Sequence, residues 1–84
     1  MFKIEFSNKA QQFLKKVEDT LTRRLIDKIS ILCEDPVPHN SVRVIGEERT
    51  FRIRVGDYRV LYEINWETKI ILIAKIDKRS QAYG

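Results

Sequence analysis

Three arginines on two neighbouring predicted strands are the residues of this 84-residue sequence best suited to chemistry. Arg52 and Arg54 alternate with apolar residues in one strand, and Arg59 lies in the next strand, after the pair Gly56-Asp57. Glycine at the first of two loop positions favours a type II′ hairpin turn, and a two-residue loop fixes the register of the strands. With that register Arg54 lies directly opposite Arg59, and we expect all three guanidinium groups on the face opposite to the apolar side chains.

The predicted pairing of Arg54 with Arg59 points to the binding of an anion. Like charges directly opposite each other in a sheet destabilise it by roughly 0.2–1 kcal/mol, so stability alone does not favour this arrangement. A bound phosphate would turn the repulsion into a chelating pair, because each guanidinium offers a fork of hydrogen-bond donors. The alternative is a solvated face on which Glu63 or Asp77 neutralises one of the two arginines. On balance the sequence favours the anion site.

The C-terminal residues supply further groups of the same kind. Lys78 and Arg79 follow the last predicted strand, and Tyr83 lies four residues after Arg79. An aromatic ring and a guanidinium beside a phosphate groove can hold an unstacked nucleotide. Taken alone, a tyrosine in a tail is more often a packing residue, and packing is the alternative for Tyr83.

The spacing of apolar residues predicts the elements that position these groups. The predicted boundaries are a strand at 2–6, a helix capped by Ser7 or Asn8, a second helix capped by Asp19 or Thr20 and ended by Pro36 and Pro38, strands at 42–45, 50–55, 58–64 and 69–76, and a polar tail at 77–84. We therefore predict an α+β fold of order β-α-α-β-β-β-β. Its sheet should be twisted and mainly antiparallel, with the helical hairpin packed on one face.

Length and composition describe one small domain spanning residues 1–84. Hydrophobic residues make up 43% and charged residues 33% of the 10.0 kDa chain, a balance that argues against disorder. The longest apolar run, Ile70–Ala74, is far shorter than the ~20 residues of a membrane span, and no signal peptide is recognisable. One cysteine, Cys33, and one histidine, His39, argue against a disulfide framework and a Cys- or His-rich metal site. We expect a cytoplasmic protein with no membrane association and no cofactor.

The net charge of +4 is concentrated in the second half of the chain. Residues 1–48 carry equal numbers of basic and acidic side chains, whereas residues 49–84 carry eight basic and four acidic ones. Five of those eight are arginine, the residue suited to bidentate contact with phosphate. A nucleic acid is therefore the expected partner, with simple solubility as the alternative explanation of a basic protein.

Two segments, together with the order of the elements, resemble the RelE/ParE superfamily of toxin–antitoxin toxins. The segments are RIRVGDYRVLYEI at Arg52–Ile64 and IAKIDKRSQAY at Ile73–Tyr83. The resemblance spans nearly the whole chain and implies a RelE-like mRNA interferase. Such a toxin enters the A site of the ribosome and cleaves the exposed mRNA without a metal, by attack of the RNA 2′-hydroxyl on the adjacent phosphate. A small RelB-like antitoxin is implied as its partner.

The resemblance also implies roles for individual residues. Arg52 and Arg54 match the basic pair on the strand before the hairpin. Arg59 matches the arginine that contacts the scissile phosphate. Arg79 falls at the basic position of the tail, and Tyr83 falls at its terminal tyrosine.

Two residues depart from the family pattern. Lys78 stands where many relatives carry histidine, and Asp77 places a negative charge beside the groove. Lys78 is a candidate general base; otherwise catalysis would rest mainly on electrostatic stabilisation of the phosphate. The ParE branch shares the scaffold but poisons DNA gyrase. The alternative function is therefore a gyrase-inhibiting toxin, or a catalytically silent module that binds nucleic acid or antitoxin. The three arginines on one face and the terminal tyrosine favour the RelE branch.

Overall fold

The predicted order of elements is confirmed by the structure, a computed structural model that describes residues 1–46 and 49–78. The elements are β1 (Lys3–Phe6), α1 (Asn8–Lys16), α2 (Asp19–Ser30) with a 3₁₀ turn (Ile31–Cys33) after it, β2 (Val42–Arg43), β3 (Thr50–Val55), β4 (Tyr58–Asn65) and β5 (Ile70–Lys78). The fold is α+β, as predicted. Within the described residues no helix is long and apolar enough to cross a membrane.

The five strands form one sheet in the order β1-β5-β4-β3-β2. Strand β1 runs parallel to β5, and the other neighbouring strands are antiparallel. The nearly continuous apolar strand β5 is therefore internal, flanked by the first strand of the chain and by β4. The first strand of the chain is thus paired with the last described strand, and the two lie next to each other in the sheet that carries the helical hairpin on one face.

Polar side chains fix the two helices to each other and to the sheet. The Ser7 hydroxyl caps α1 by accepting from the Ala10 N–H at 3.1 Å, and it donates to the Ala74 carbonyl on β5 at 2.7 Å. The Thr22 hydroxyl of α2 donates to the Leu14 carbonyl of α1 at 2.9 Å. The prediction of a cap at Ser7 or Asn8 is thus confirmed for Ser7.

The prediction that Asp19 or Thr20 caps α2 is wrong. The cap is Glu18, whose side chain makes no capping hydrogen bond, and Asp19 is the first helical residue. A carboxylate in the first turn favours the positive end of the helix dipole without capping it. This electrostatic contribution is a sufficient reason for an acidic residue at position 19, without a capping hydrogen bond.

The core lies between the helices and one face of the sheet. Ala10, Leu25, Ile29 and Leu32 face the sheet from the helical side and are fully buried or nearly so. The sheet contributes the buried residues Phe51, Ile53, Val55, Val60, Tyr62, Ile64, Ile71, Ile73 and Ile76. One face of the sheet is therefore apolar and covered, and the other is left for charged side chains.

Strand β5 is longer than predicted, and it contains a bulge. The ladder with β4 pairs Tyr62 with Ile73 but Leu61 with Lys75, so Ala74 is the extra residue. Pairing continues to Lys78, which means that Asp77 and Lys78 belong to the sheet and not to a polar tail. The predicted end of the strand at residue 76 is wrong, because backbone pairing with β4 extends past the last apolar residue.

Tyr62 joins the buried face of the sheet to the loop that follows the helices. Its ring is fully buried, and its hydroxyl donates to the Pro36 carbonyl at 2.8 Å. Burial, with a smaller contribution from the charge of Asp35, raises the pKa of Tyr62 to about 12 against the opposing hydrogen bond with Ser41. The folded protein therefore favours the neutral phenol.

Tyr62→Phe should lower the free energy of unfolding by about 1 kcal/mol near neutral pH, because the hydrogen bond to Pro36 is lost. Because the pKa of Tyr62 rises from 10.0 to about 12 on folding, its contribution to stability is complete below pH 10 and is lost as the pH approaches 12. Wild type should therefore lose more stability than Tyr62→Phe across this interval. Urea denaturation at a series of pH values measures both effects, and equal alkaline losses would contradict the burial of this phenol.

Candidate nucleic-acid interface

The sheet face left uncovered by the helices carries the three arginines predicted for the site. Arg54 pairs with Arg59, and Arg52 lies two residues before Arg54 along β3, opposite Leu61 and on the same face. This is the register that a two-residue turn requires. None of the three arginines belongs to the buried core. We call this surface the arginine face.

The hairpin turn that sets this register depends on Gly56. Its φ is +61°, whereas Asp57 has no positive φ, which is the pattern of the predicted type II′ turn. A Cβ at this position would also lie 2.9 Å from Nη2 of Arg24 on α2. Backbone conformation and a close neighbour therefore both favour glycine here.

A cleft of about 330 Å³ lies beside the hairpin on the arginine face. Arg52 and Arg59 contribute its charged wall, and Leu61 lies between them in the strand register. The other side is formed by residues of and after β2: Val42, Arg43, Val44 and Ile45. Val42 and Ile45 are strongly exposed, at 49% and 98%. A cleft with guanidinium groups and apolar edges suits a ligand that has both anionic and flat apolar parts, as a nucleotide does.

Arg59 is engaged by a carboxylate of the same face. Its Nε donates to Oδ1 of Asp77 and its Nη2 donates to Oδ2, both at 3.0 Å. Nζ of Lys75 lies 3.5 Å from Oδ2 of the same carboxylate. The side chains of Arg59 and Asp77 are only 17% and 20% exposed. The hydrogen bonds from Arg59 lower the pKa of Asp77 below its ordinary 3.8 although burial acts in the opposite direction, so Asp77 is ionised at neutral pH.

This ion pair decides between the two alternatives for one of the arginines. Asp77, and not Glu63, neutralises Arg59, and it thereby relieves the repulsion between Arg59 and Arg54. Arg54 is exposed, and Arg52 is half-buried. The arginine face therefore combines one internally paired guanidinium with two others on the neighbouring strand.

The role of Lys75 was not predicted, and Asp77 was predicted only as one of two alternative partners of the arginines. The β5 bulge explains how both residues reach this face. In an uninterrupted strand Asp77 would lie on the same face as Ile71 and Ile73, because side chains alternate. The extra residue at Ala74 reverses this alternation, so that Lys75 and Asp77 lie on the arginine face while Ile76 is buried. The signal in the sequence is that apolar residues occupy the odd-numbered positions of Ile71 and Ile73, whereas Ile76, the apolar residue between Lys75 and Asp77, is even-numbered.

The other predicted site residues are not brought to this face by the described part of the chain. Lys78 is exposed and pairs with Tyr58, in the row of Val55, which is on the helix-covered face. Its role as general base stays a prediction. Arg79 and Tyr83 lie outside the described residues.

The lone cysteine and histidine belong to the segment that follows α2. Cys33 is a half-buried free thiol in the 3₁₀ turn, and His39 is exposed in the loop before β2. Within residues 1–46 and 49–78, no three His, Cys, Asp or Glu side chains are grouped so that they could hold a metal ion.

Several toxins share this fold. A chain in the crystal structure of the archaeal RelE–RelB complex from Pyrococcus horikoshii OT3 has a TM-score of 0.83 and 28% identity, covering 95% of this chain and 97% of that one. The isolated RelE toxin of E. coli has a TM-score of 0.83 at 21% identity, over 99% of this chain and 92% of that one. The candidate toxin RelE1 of Methanocaldococcus jannaschii is 29% identical over 85 residues, which cover 98% of this chain and 94% of that protein. The fold and these sequence similarities thus place the protein in the class of small α+β toxins.

The sequence profile of the ParE toxin of type II toxin–antitoxin systems, parDE, matches residues 4–83. This chain therefore belongs to the ParE toxin family, within the RelE/ParE superfamily, and it is a toxin of a type II toxin–antitoxin system. The resemblance found in the sequence is confirmed.

Arg59→Gln should lower the free energy of unfolding at neutral pH and should change the way in which that free energy depends on acid pH. Because Arg59 lowers the pKa of Asp77, the contribution of this pair is present above pH 3.8 and is lost as the pH falls through the lower folded value. The variant should be less stable by about 1 kcal/mol at pH 7, since relief of repulsion with Arg54 offsets part of the lost ion pair. It should also lose less stability than wild type on acidification.

Arg54→Gln is the matched control, because it removes the same charge from the other member of the cross-strand pair. Its stability at pH 7 should be level or higher by up to ~1 kcal/mol, and its acid dependence should follow that of wild type. Denaturant titrations between pH 2 and neutrality, in about unit steps, measure both variants. Identical acid dependence in all three proteins would contradict the Arg59–Asp77 ion pair.

Proposed function

We propose that this toxin is a ribosome-dependent mRNA endoribonuclease that inhibits translation. The observation that supports the proposal is the arginine face, on which Arg54 lies opposite Arg59 and Arg52 lies two residues away on the same face, beside an apolar-edged cleft. Membership of the toxin family and the likeness to RelE toxins support the same conclusion. On this proposal the substrate is single-stranded mRNA presented in the ribosomal A site.

The proposed reaction is an internal transfer at one phosphodiester. The 2′-hydroxyl loses its proton and its oxygen bonds to the adjacent phosphorus, while the bond from phosphorus to the 5′-oxygen breaks and that oxygen takes up a proton. The products end in a 2′,3′-cyclic phosphate and a 5′-hydroxyl. The phosphate gains negative charge in the transition state, and preorganised guanidinium donors stabilise that charge.

Each arginine contributes differently because each has a different environment. Arg54 is exposed and is therefore suited to binding the phosphate as it becomes pentacoordinate. Arg52 at the wall of the cleft is suited to binding the backbone of the mRNA. Arg59 is suited to contact the scissile phosphate, as the family resemblance implies. Arg79 and Tyr83 are proposed to complete the site from the C-terminal side. The proposed role of Lys78 as general base requires its side chain to reach the arginine face from the row of Tyr58 and Val55.

A RelB-like antitoxin is the proposed protein partner. The Pyrococcus horikoshii relative is a RelE–RelB complex, and the chain resembles its RelE component over nearly its full length. The net positive charge of the C-terminal half favours a partner that carries acidic residues.

Gyrase inhibition is the second candidate function, and two observations favour it. The family profile that matches is that of a ParE toxin, and on the arginine face Asp77 neutralises one of the three arginines. A gyrase inhibitor would cause DNA damage and leave mRNA intact. An RNase would cut mRNA on ribosomes and stop protein synthesis before any damage to DNA.

Arg54→Leu tests the proposed RNase. Cleavage of mRNA on purified translating ribosomes should fall about a hundredfold or more, because one preorganised phosphate donor is lost. Stability should not fall, since Arg54 is exposed opposite a like charge. The rate is measured by primer extension on a defined mRNA, and induced expression should give growth arrest with wild type but not with the variant.

Arg23→Leu is the matched control, because it removes an exposed arginine from α2, away from the arginine face. It should cleave like wild type. Products with 5′-phosphate ends would indicate attack by water and contradict the proposed reaction. Intact mRNA together with induction of the DNA-damage response would favour the gyrase alternative.

A further inference from the structure

The donors that join Arg59 to Asp77 are those that a phosphate would use. The carboxylate receives two parallel hydrogen bonds of 3.0 Å, one from Nε and one from Nη2. Two oxygens of a phosphate accept the same fork of donors in the same way. The Asp77 carboxylate therefore occupies the position in which Arg59 could bind an external anion.

The surroundings of the Arg59–Asp77 pair strengthen its hydrogen bonds. Both side chains are mostly buried, so water competes weakly for their hydrogen bonds. Nζ of Lys75, at 3.5 Å, adds a second positive charge beside the carboxylate. The bulge at Ala74 fixes Asp77 in this position by the backbone ladder, since Asp77 pairs directly with Arg59 across β4 and β5. The pairing is thus built into the sheet and does not depend on a flexible side chain reaching across the surface.

We propose that Asp77 is an internal competitor for phosphate at Arg59, so that a nucleic acid must displace its carboxylate to reach this guanidinium. The inference deepens the proposed function and rests on the phosphate-binding role given there to Arg59. A single phosphate ester would have to break two hydrogen bonds to a fixed carboxylate. A strand that also contacts Arg52 and Arg54, or that is held in place by another particle, can displace it.

The consequence is selectivity against free RNA. Competition by Asp77 weakens every RNA that binds through Arg59, so a free transcript is bound poorly. A strand that the ribosome holds beside the arginine face has a high effective concentration and still displaces the carboxylate. A toxin with this feature would bind loose transcripts poorly and would act on RNA that is presented to it.

The test compares Asp77→Asn with Glu63→Gln. Each variant removes one negative charge from the arginine face, but Glu63 is exposed, pairs with Thr50 in the register and has no contact with Arg59 among the described hydrogen bonds and ion pairs. The probe is a short single-stranded 2′-O-methyl oligoribonucleotide, which cannot be cleaved by its own 2′-oxygen. Binding is measured by fluorescence anisotropy over a series of salt concentrations.

Asp77→Asn should bind the probe about fivefold or more tightly than wild type, because the competing carboxylate at the donor fork is gone. Glu63→Gln should gain less than about twofold, because an exposed charge at a distance is screened. Equal gains in the two variants would show that Asp77 acts only through net charge. Weaker binding by Asp77→Asn would show that Asp77 holds Arg59 in its binding position. Either result overturns the proposal.

Cleavage on ribosomes separates this inference from the proposed function. Wild type that cuts no mRNA on ribosomes overturns the proposed function, while the binding comparison still decides whether Asp77 competes for phosphate. With an active wild type, Asp77→Asn should also cut free RNA measurably, at a rate above that of Glu63→Gln.

A measurement on wild type keeps the inference testable if Asp77→Asn does not fold. Nuclear magnetic resonance can follow Nε–H of Arg59 and the carboxyl carbon of Asp77 during titration with the same probe. Both resonances should shift together as the probe saturates the protein, because the carboxylate loses its two donors. Saturation with both resonances unmoved would overturn the proposal.

Discussion

The bulge at Ala74 is the feature on which the arrangement of both sheet faces depends. Strand β5 must supply buried residues to the core and charged residues to the arginine face, and strict alternation cannot do this for its sequence. One extra residue reverses the alternation, so that Ile76 is buried and Asp77 meets Arg59. Without the reversal, a carboxylate would face the apolar core and Ile76 would face solvent. Both costs are much larger than the loss of a ladder hydrogen bond.

The hairpin brings two like charges together, and a third residue of the arginine face compensates one of them. A two-residue turn at Gly56 sets Arg54 opposite Arg59 whatever their charges, because register is decided by backbone geometry and by the apolar residues of the other face. Asp77 compensates Arg59 from the next strand, and the excess positive charge is left with Arg52 and Arg54. The sheet is stable with this charge because the compensation lies inside the ladder, where the partners are held at fixed positions.

Much of the architecture could be predicted because short-range rules determine it. Gly56 identified the turn and therefore the register, and the change from alternating to helical spacing after Phe6 predicted a cap at Ser7 or Asn8, of which the structure has Ser7. The strand predicted at 42–45 ends at Arg43, and two further boundaries were wrong for physical reasons. The cap of α2 lacks a side-chain hydrogen bond, so residue type gave no reliable indication, and β5 continues beyond its apolar residues because its neighbour β4 offers backbone partners. The Arg59–Asp77 pair joins residues of two strands across a bulge, which alternation alone misplaces.

The same scaffold can therefore support different chemistry with few changes. The likeness at 21% identity to the E. coli toxin shows how little sequence the fold requires, since a buried face and one turn specify most of it. Charges on the arginine face have no part in that specification and can vary independently of the core. A carboxylate fixed beside the Arg59 guanidinium changes the charge that the face presents while leaving the apolar core unaltered. On the proposed function, such a change acts on the selectivity of the toxin for RNA at little cost to the fold.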